Sequence, residues 1–191
     1  MGISSKEFYQ RLSIFLLFAI PVAYFGIIAA VTVHELFGHG LSSLLLGGKF
    51  TGFSLEPDGM GWAYVDASGT GTLREALVYL AGPSATLLIG VLLLFVSLAV
   101  RKRFFLSLAV LIIALNCLLE GPPYLFWNAV HPVPPGDIGQ VLELLPSEGL
   151  RWGILVIGGI FTFSGIVIAN LFLYRQAIQW LGNGKIIEKT H

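Results

Sequence analysis

The chain has 191 residues, of which 55% are hydrophobic and only 12% are charged, and its formal net charge is zero. A soluble domain carries about twice that charged fraction. Polar groups could not cover the surface of such a chain, so lipid is the expected solvent. The balanced charge and the lack of a basic tract argue against nucleic acid as a partner. The single cysteine, Cys117, excludes an intrachain disulfide, and its apolar neighbours predict a small buried residue.

Four apolar stretches are long enough to cross a membrane, at about residues 12–46, 76–100, 104–119 and 152–181. The first, at about 35 residues, is longer than a hydrocarbon core of roughly 30 Å requires. We therefore expect it to tilt, to kink at Pro21 or to break into two pieces. The third is close to the minimum length for a span.

Two polar regions separate these stretches. Residues 49–73 alternate aromatic and small side chains around the turn Pro57-Asp58-Gly59, which is typical of a β-hairpin. Residues 120–151 are rich in proline and include a short predicted helix from Asp137 to Leu145. Glu120, at the end of the third stretch, is interpreted as a plain interfacial carboxylate. The prediction is an α-helical membrane protein with about four transmembrane helices and a membrane-associated β-hairpin after the first.

The domain organisation follows from the absence of any long soluble segment. Residues 1–191 are predicted to form a single integral-membrane domain, with a core at about 22–145 and a C-terminal transmembrane helix at about 151–181. With four spans, Lys49, Arg74 and Arg151 share one side, and the other eight of the 11 basic residues share the side of the termini. Because cytoplasmic segments are enriched in basic residues, we expect a multi-pass protein of the cell membrane with both termini cytoplasmic. The eight are Lys6, Arg11, Arg101, Lys102, Arg103, Arg175, Lys185 and Lys189.

The first apolar stretch contains the string HELFGHG, from His34 to Gly40. Ionisable groups inside a membrane segment are costly and are a functional hypothesis by default. A zinc hydrolase needs neutral imidazole ligands, an open position for water and a carboxylate as general base. The usual string, His-Glu-x-x-His, places its histidines four apart on one helical face. Here His34 and His39 are five apart, which on an α-helix separates them by about 140°.

Three local arrangements could still produce a metal site. A π-bulge, which we favour, absorbs one residue, and Gly38 and Gly40 make such distortion cheap. Alternatively the helix ends near Phe37 and His39 turns inwards, or Glu35 and His39 are the ligands and His34 lies behind them. The pattern resembles the zinc motif His-Glu-Leu-Leu-Gly-His of the dipeptidyl peptidase III family. A purely structural histidine pair is the alternative to all three, although Glu35 would then also need a partner.

A third ligand must come from elsewhere in the chain, because one helix supplies only two. Asp137 is the best candidate, since its loop and the end of the first span are predicted to share a membrane face. The alternative role for Asp137 is the N-cap of the short helix that follows. His131 is the rival third ligand, although a loop histidine of this kind is more often exposed.

The combination resembles the site-2 protease family of intramembrane zinc metalloproteases, especially its short bacterial and archaeal members, over about residues 30–145. The resemblance implies Zn²⁺ held by His34, His39 and Asp137, with Glu35 activating water. It also implies that the hairpin pairs with an unwound substrate strand. The strings that carry it are HELFGHG, Gly47-Gly48-Lys49 with the hairpin turn, Leu80-Ala81-Gly82-Pro83, and Pro132-Val133-Pro134-Pro135-Gly136-Asp137-Ile138-Gly139.

The predicted function is therefore hydrolysis of peptide bonds within or near transmembrane segments of membrane proteins, by a zinc metalloendopeptidase. The expected partners are a transmembrane protein substrate and the lipid bilayer. One alternative is a catalytically inactive relative that binds membrane segments, which the lengthened histidine spacing favours. The other is a small transporter that uses the intramembrane polar cluster as a pathway.

Overall fold

The computed structural model describes residues 4–131 and 136–182. The predicted proline-rich run at 132–135 and the basic residues Lys185 and Lys189 lie outside the described residues. The described chain contains six α-helices, one π-helical segment and a two-stranded antiparallel sheet. In chain order these are α1 (Ser5–Thr32), the π segment (Val33–Gly40), α2 (Leu41–Leu45), β1 (Lys49–Leu55), β2 (Gly61–Asp66), α3 (Thr72–Ala99), α4 (Phe104–Val130), α5 (Asp137–Leu144) and α6 (Glu148–Gly182).

Four helical stretches of the described chain are long and apolar enough to cross a membrane: Ser5–Leu45, Thr72–Ala99, Phe104–Val130 and Glu148–Ile178. Large apolar side chains on them stay exposed, which suits lipid rather than water as the surrounding solvent. The protein is therefore an integral membrane protein, and the predicted fold class is confirmed. Examples of these exposed side chains are Leu17, Phe25, Leu88 and Phe163.

The first span is one continuous helical run of 41 residues. The α-helix passes through Pro21 without ending, so a break into two pieces at that residue is wrong. Proline is tolerated here because neighbouring groups in a membrane helix can satisfy the backbone carbonyl that it releases. The change of helix type comes 12 positions later, at Val33, where the π segment begins.

The third span is longer than the sequence predicted. We expected it to end near Leu119, but α4 continues to Val130. In a soluble protein, Gly121-Pro122-Pro123 would favour the end of a helix, whereas a membrane helix can accommodate these residues. Glu120 therefore lies inside a transmembrane helix, and its interpretation as an interfacial carboxylate is wrong.

The hairpin lies against the first span beside the π segment. Its strands pair in antiparallel register, with Phe53 opposite Ala63 and Leu55 opposite Gly61. On the β1 side, the Phe50 ring packs on the backbone of Gly40, where an added Cβ would lie 2.9 Å from the ring. The predicted hairpin is confirmed, and its position leaves it at the same end of the helices as the π segment.

The end of the helix bundle remote from the hairpin is stabilised by an apolar cluster and a pair of hydrogen bonds. Phe104 stacks on Trp180, with ring centroids 4.8 Å apart. The Trp180 Nε1–H donates to the Arg11 carbonyl over 3.0 Å, and an Arg11 guanidinium N–H donates to the Trp180 carbonyl over 3.3 Å. The beginnings of α1 and α4 therefore meet the end of α6 at the end remote from the hairpin.

A second apolar cluster fixes α5 at the hairpin end. Ile138 of α5 is fully buried against Leu125 and Ala129 of α4, and Leu80 of α3 packs on the same cluster. The short helix predicted from Asp137 is thereby confirmed. Its first residue is directed towards the π segment.

Candidate metal centre

The π segment brings the two histidines of HELFGHG together. Residues 33–40 are π-helical, and hydrogen bonds between residues five apart place His34 and His39 on one face. Their ring centroids lie 4.8 Å apart, and both side chains are buried. The favoured π-bulge is confirmed, so the alternative in which the helix ends near Phe37 is wrong.

Asp137 reaches the same place from α5. Its Oδ2 lies 3.0 Å from His34 Nε2 and 3.2 Å from His39 Nε2. The N-cap position of α5 is occupied by Gly136, without a side-chain cap, so the capping role expected as the alternative for Asp137 is wrong. Burial opposes ionisation, but hydrogen bonds from His34 and His39 hold the pKa of the Asp137 carboxyl at about 2.

The second nitrogen of each imidazole also has a defined neighbour. His39 Nδ1–H donates to the backbone carbonyl of Val78 over 2.8 Å. His34 Nδ1 lies 2.7 Å from Oε1 of Glu120. The carbonyl acceptor keeps a proton on Nδ1 of His39, and the carboxylate beside Nδ1 of His34 favours the same tautomer, so Nε2 of each ring is the nitrogen left to bind an ion next to Asp137.

Three ligand atoms, two imidazole nitrogens and one carboxylate oxygen, therefore converge. One ligand atom from each of His34, His39 and Asp137 lies within 4.8 Å of the other two. Ligands bound to tetrahedral zinc at about 2.0–2.1 Å are separated by about 3.3 Å, close to the two distances that Asp137 makes. Two neutral imidazoles and a carboxylate are a donor set that zinc accepts while keeping a position open for water.

Charge supports the same fit. A divalent cation between the two imidazoles would balance the negative charges of the Asp137 and Glu120 carboxylates, and buried charges must be balanced in a membrane. The residues present therefore fit zinc in both donor type and charge.

The backbone of α3 forms one wall of the centre. A Cβ added to Gly82 would lie 2.5 Å from His34 Nε2 and closer still to His39 Nε2. A Cβ added to Gly38 would overlap the Cα of Gly82. Only glycine at both positions allows the π segment and α3 to approach this closely. The missing side chain of Gly82 also leaves open the space next to the two Nε2 atoms.

Glu35 lies on the hairpin side of the centre. The residue is 9% exposed, and a Cβ added to Gly61 of β2 would lie 3.2 Å from the Glu35 Cγ. The carboxylate is close enough to interact electrostatically with His34, His39 and Asp137. It is not a member of the convergent group found among the described residues, which disfavours the alternative in which Glu35 and His39 are ligands.

The remaining candidates lie elsewhere. His131 is exposed at the end of α4, and its ring packs against Trp127. Among the described residues it does not join the convergent group. Cys117 is buried as predicted.

Sequence reasoning missed two features of the centre, the Glu120 carboxylate and the Gly82 backbone. The signal for Glu120 was its ionisable side chain directly after an apolar run, which the neighbouring prolines obscured. Gly82 lies in the string Leu80-Ala81-Gly82-Pro83, but that string did not indicate that the glycine would face the histidines.

Comparison with known proteins gives one match. The family described as Peptidase M50B-like matches residues 11–131, which is more than half of the chain. The matched range includes both histidines and Glu35 and ends before Asp137. Neither the curated proteins nor the solved structures compared with the chain give a match. The match agrees with the resemblance to site-2 proteases, and the chain belongs to the Peptidase M50B-like family.

Proposed function

We propose that the protein is an intramembrane zinc metalloendopeptidase that hydrolyses peptide bonds within or near transmembrane segments of other membrane proteins. The observation that carries this proposal is the convergence of His34, His39 and Asp137 within 4.8 Å. Asp137 is 98 residues beyond His39 in the chain, so the group is a product of the fold rather than of local sequence. The π segment also removes the main argument for an inactive relative, which was the histidine spacing.

In this proposal His34, His39 and Asp137 hold the ion, and Glu35 is the general base. When bound, zinc would acidify water and polarise a peptide carbonyl. Glu35 takes a proton from the attacking water and delivers it to the departing amine. Its place between the π segment and β2 puts it between the ligands and the strand that would position a substrate.

The proposed substrate is a membrane-spanning segment that has lost its helical structure locally. An α-helix hides its carbonyls in its own hydrogen bonds, so hydrolysis requires an extended segment. An extended segment can add to the edge of the hairpin, where main-chain hydrogen bonds stabilise it. The contact of Gly61 with Glu35 supports this arrangement, because it places an edge of the sheet beside the proposed base.

We further propose that the protein resides in the cell membrane with both termini cytoplasmic. Lys49, Arg74 and Arg151 belong to the hairpin end of the bundle. Six basic residues of the described chain belong to the opposite end, which favours the cytoplasm for that end. The candidate centre then lies towards the external face. The six are Lys6, Arg11, Arg101, Lys102, Arg103 and Arg175.

Zinc stoichiometry of the purified protein tests the ligand set. We expect about one equivalent in the wild type, and less than about a tenth in His34→Ala, His39→Ala and Asp137→Ala, because three protein ligands are the minimum of such sites. His131→Ala is the matched control and should retain the metal. A wild type without zinc would contradict the proposal and favour a non-catalytic membrane-segment binder.

Cleavage assays test the base. We expect Glu35→Gln to retain zinc and to lose cleavage of a synthetic transmembrane peptide with a central Gly-Pro interruption, reconstituted in the same liposomes. Glu56→Gln, an exposed carboxylate at the hairpin turn, should cleave as the wild type does. Full activity in Glu35→Gln would refute its role. Zinc uptake into liposomes that is unaffected by Glu35→Gln would instead indicate a transporter.

A further inference from the structure

Glu120 is an ionisable residue inside a transmembrane helix that the proposed hydrolysis does not use. It lies within α4, a span of 27 residues, and its side chain is 22% exposed. Its Oε1 is 2.7 Å from His34 Nδ1, the nitrogen that faces away from Asp137. A carboxylate in this environment is expensive unless it has a specific partner.

The crossing of α4 over α3 accounts for the position of Glu120. A Cβ added to its neighbour Gly121 would overlap Thr86 Oγ1 and lie 2.6 Å from the Pro83 carbonyl. The two backbones are therefore almost in contact next to Glu120. Gly82, in the same turn of α3, contacts the π segment. The same turn of α3 therefore packs against both α4 and the π segment, and this backbone packing sets the distance from Glu120 to His34.

The Nδ1 atoms of the two histidines face different groups. His39 Nδ1 donates to a neutral backbone carbonyl, whereas His34 Nδ1 faces a carboxylate. A carboxylate in this position fixes the tautomer and the ring orientation, and it makes Nε2 a stronger donor to a metal. An unheld imidazole on a π-helical backbone could turn its Nε2 away from Asp137.

We propose that Glu120 is a positioning residue of the metal centre, which holds the His34 ring so that Nε2 meets the ion together with His39 and Asp137. This inference rests on the proposed zinc function and adds a carboxylate–histidine pair to the ligand set. Glu120 acts through His34 and contacts neither the ion nor the substrate.

Zinc affinity of the purified full-length protein, measured by competition with a chromophoric chelator, tests the inference. Glu120→Leu should weaken binding by about 10- to 100-fold, the usual effect of removing a ligand-orienting group. Glu120→Gln should fall between Glu120→Leu and the wild type, because its amide oxygen still accepts from Nδ1–H but carries no charge. Glu143→Gln removes an exposed carboxylate of α5 and should bind as the wild type does.

Two further measurements distinguish a positioning role of Glu120 from a purely structural one. The thermal midpoint of the metal-free protein reports stability apart from metal binding, and we expect Glu120→Gln, which keeps the size of the side chain, to retain a cooperative unfolding transition. The absorption bands of bound Co²⁺ report ligand geometry, and we expect them to shift in Glu120→Leu at saturating metal. If Glu120→Leu does not fold, Glu120→Asp replaces it, since the shorter side chain withdraws the acceptor by about one methylene.

The possible results distinguish a failure of this inference from a failure of the proposed zinc function. A loss of affinity of about tenfold or more in Glu120→Leu or Glu120→Asp, with Glu120→Gln less affected, supports a positioning role. Affinities within about threefold of the Glu143→Gln control overturn it while leaving the proposed function intact. A wild type that binds no zinc would instead defeat the proposed function, and the two failures are therefore distinguishable.

Discussion

Replacing Gly82 with alanine would place a methyl group against both histidine rings of the candidate centre. The new Cβ would lie 2.5 Å from His34 Nε2 and nearer still to His39 Nε2. An ordinary contact requires about 3.5 Å, so each ring, or α3 itself, would have to move by about 1 Å. Metal–ligand distances tolerate deviations of only about 0.2 Å. The displacement is therefore about five times what the ion would accept.

The expected result is a loss of zinc affinity in Gly82→Ala of at least about 100-fold, the upper end of what disturbing a ligand-orienting group costs. Stability responds less, since overpacking typically costs about 1–3 kcal/mol and alanine in a helix interior returns about 0.5–1 kcal/mol. Zinc affinity and the thermal midpoint of the metal-free protein should both be measured, so that loss of metal is separated from loss of fold.

Gly90→Ala is the matched control for this prediction. It lies about two turns further along α3, and its new Cβ would lie 2.8 Å from Leu118 Cγ and 3.2 Å from the Ala114 carbonyl, with no histidine atom among its nearest neighbours. The two variants make the same chemical change in one helix, but only Gly82→Ala touches the histidines. Wild-type zinc affinity in a folded Gly82→Ala protein would refute the reasoning.

Three further predictions concern orientation, stability and metal dependence. Asp58→Cys in the hairpin turn should react with an impermeant thiol reagent on intact cells, and Lys102→Cys should react only after permeabilisation. Cys117 should not react because it is 1% exposed. The reverse pattern of labelling would contradict the proposed topology. Trp180→Ala should lower the free energy of unfolding by about 3 kcal/mol or more and leave zinc affinity unchanged, since Trp180 lies at the end remote from the centre; a large loss of zinc would contradict this separation. A chelator should abolish cleavage of the reconstituted peptide and added zinc should restore it, whereas activity that persists in the metal-free protein would exclude the proposed chemistry.

Much of the fold could be predicted because the membrane imposes simple rules. Apolar runs of sufficient length must be helical, and the alternation around Pro57-Asp58-Gly59 admits little except a hairpin. The π segment was also predictable, since His34 and His39 could share a face only if one residue was absorbed.

The errors arose where tertiary contacts override local signals. The third span was expected to end near Leu119, before the proline-rich region, although α4 continues through Pro122 and Pro123 to Val130. That error removed Glu120 from the membrane and hid its contact with His34. The function of Gly82 could not be predicted, because a missing side chain has meaning only when the neighbour that occupies its space is known.

The contacts of Asp137 have a consequence for the order of biosynthesis. They connect points 103 and 98 residues apart in the chain, and the two long helices α3 and α4 lie between them. A nascent chain therefore carries HELFGHG into the bilayer long before its carboxylate partner has been translated. A hydrolase built in this way would remain inactive during its own insertion, when other newly inserted and still unfolded membrane segments lie nearby.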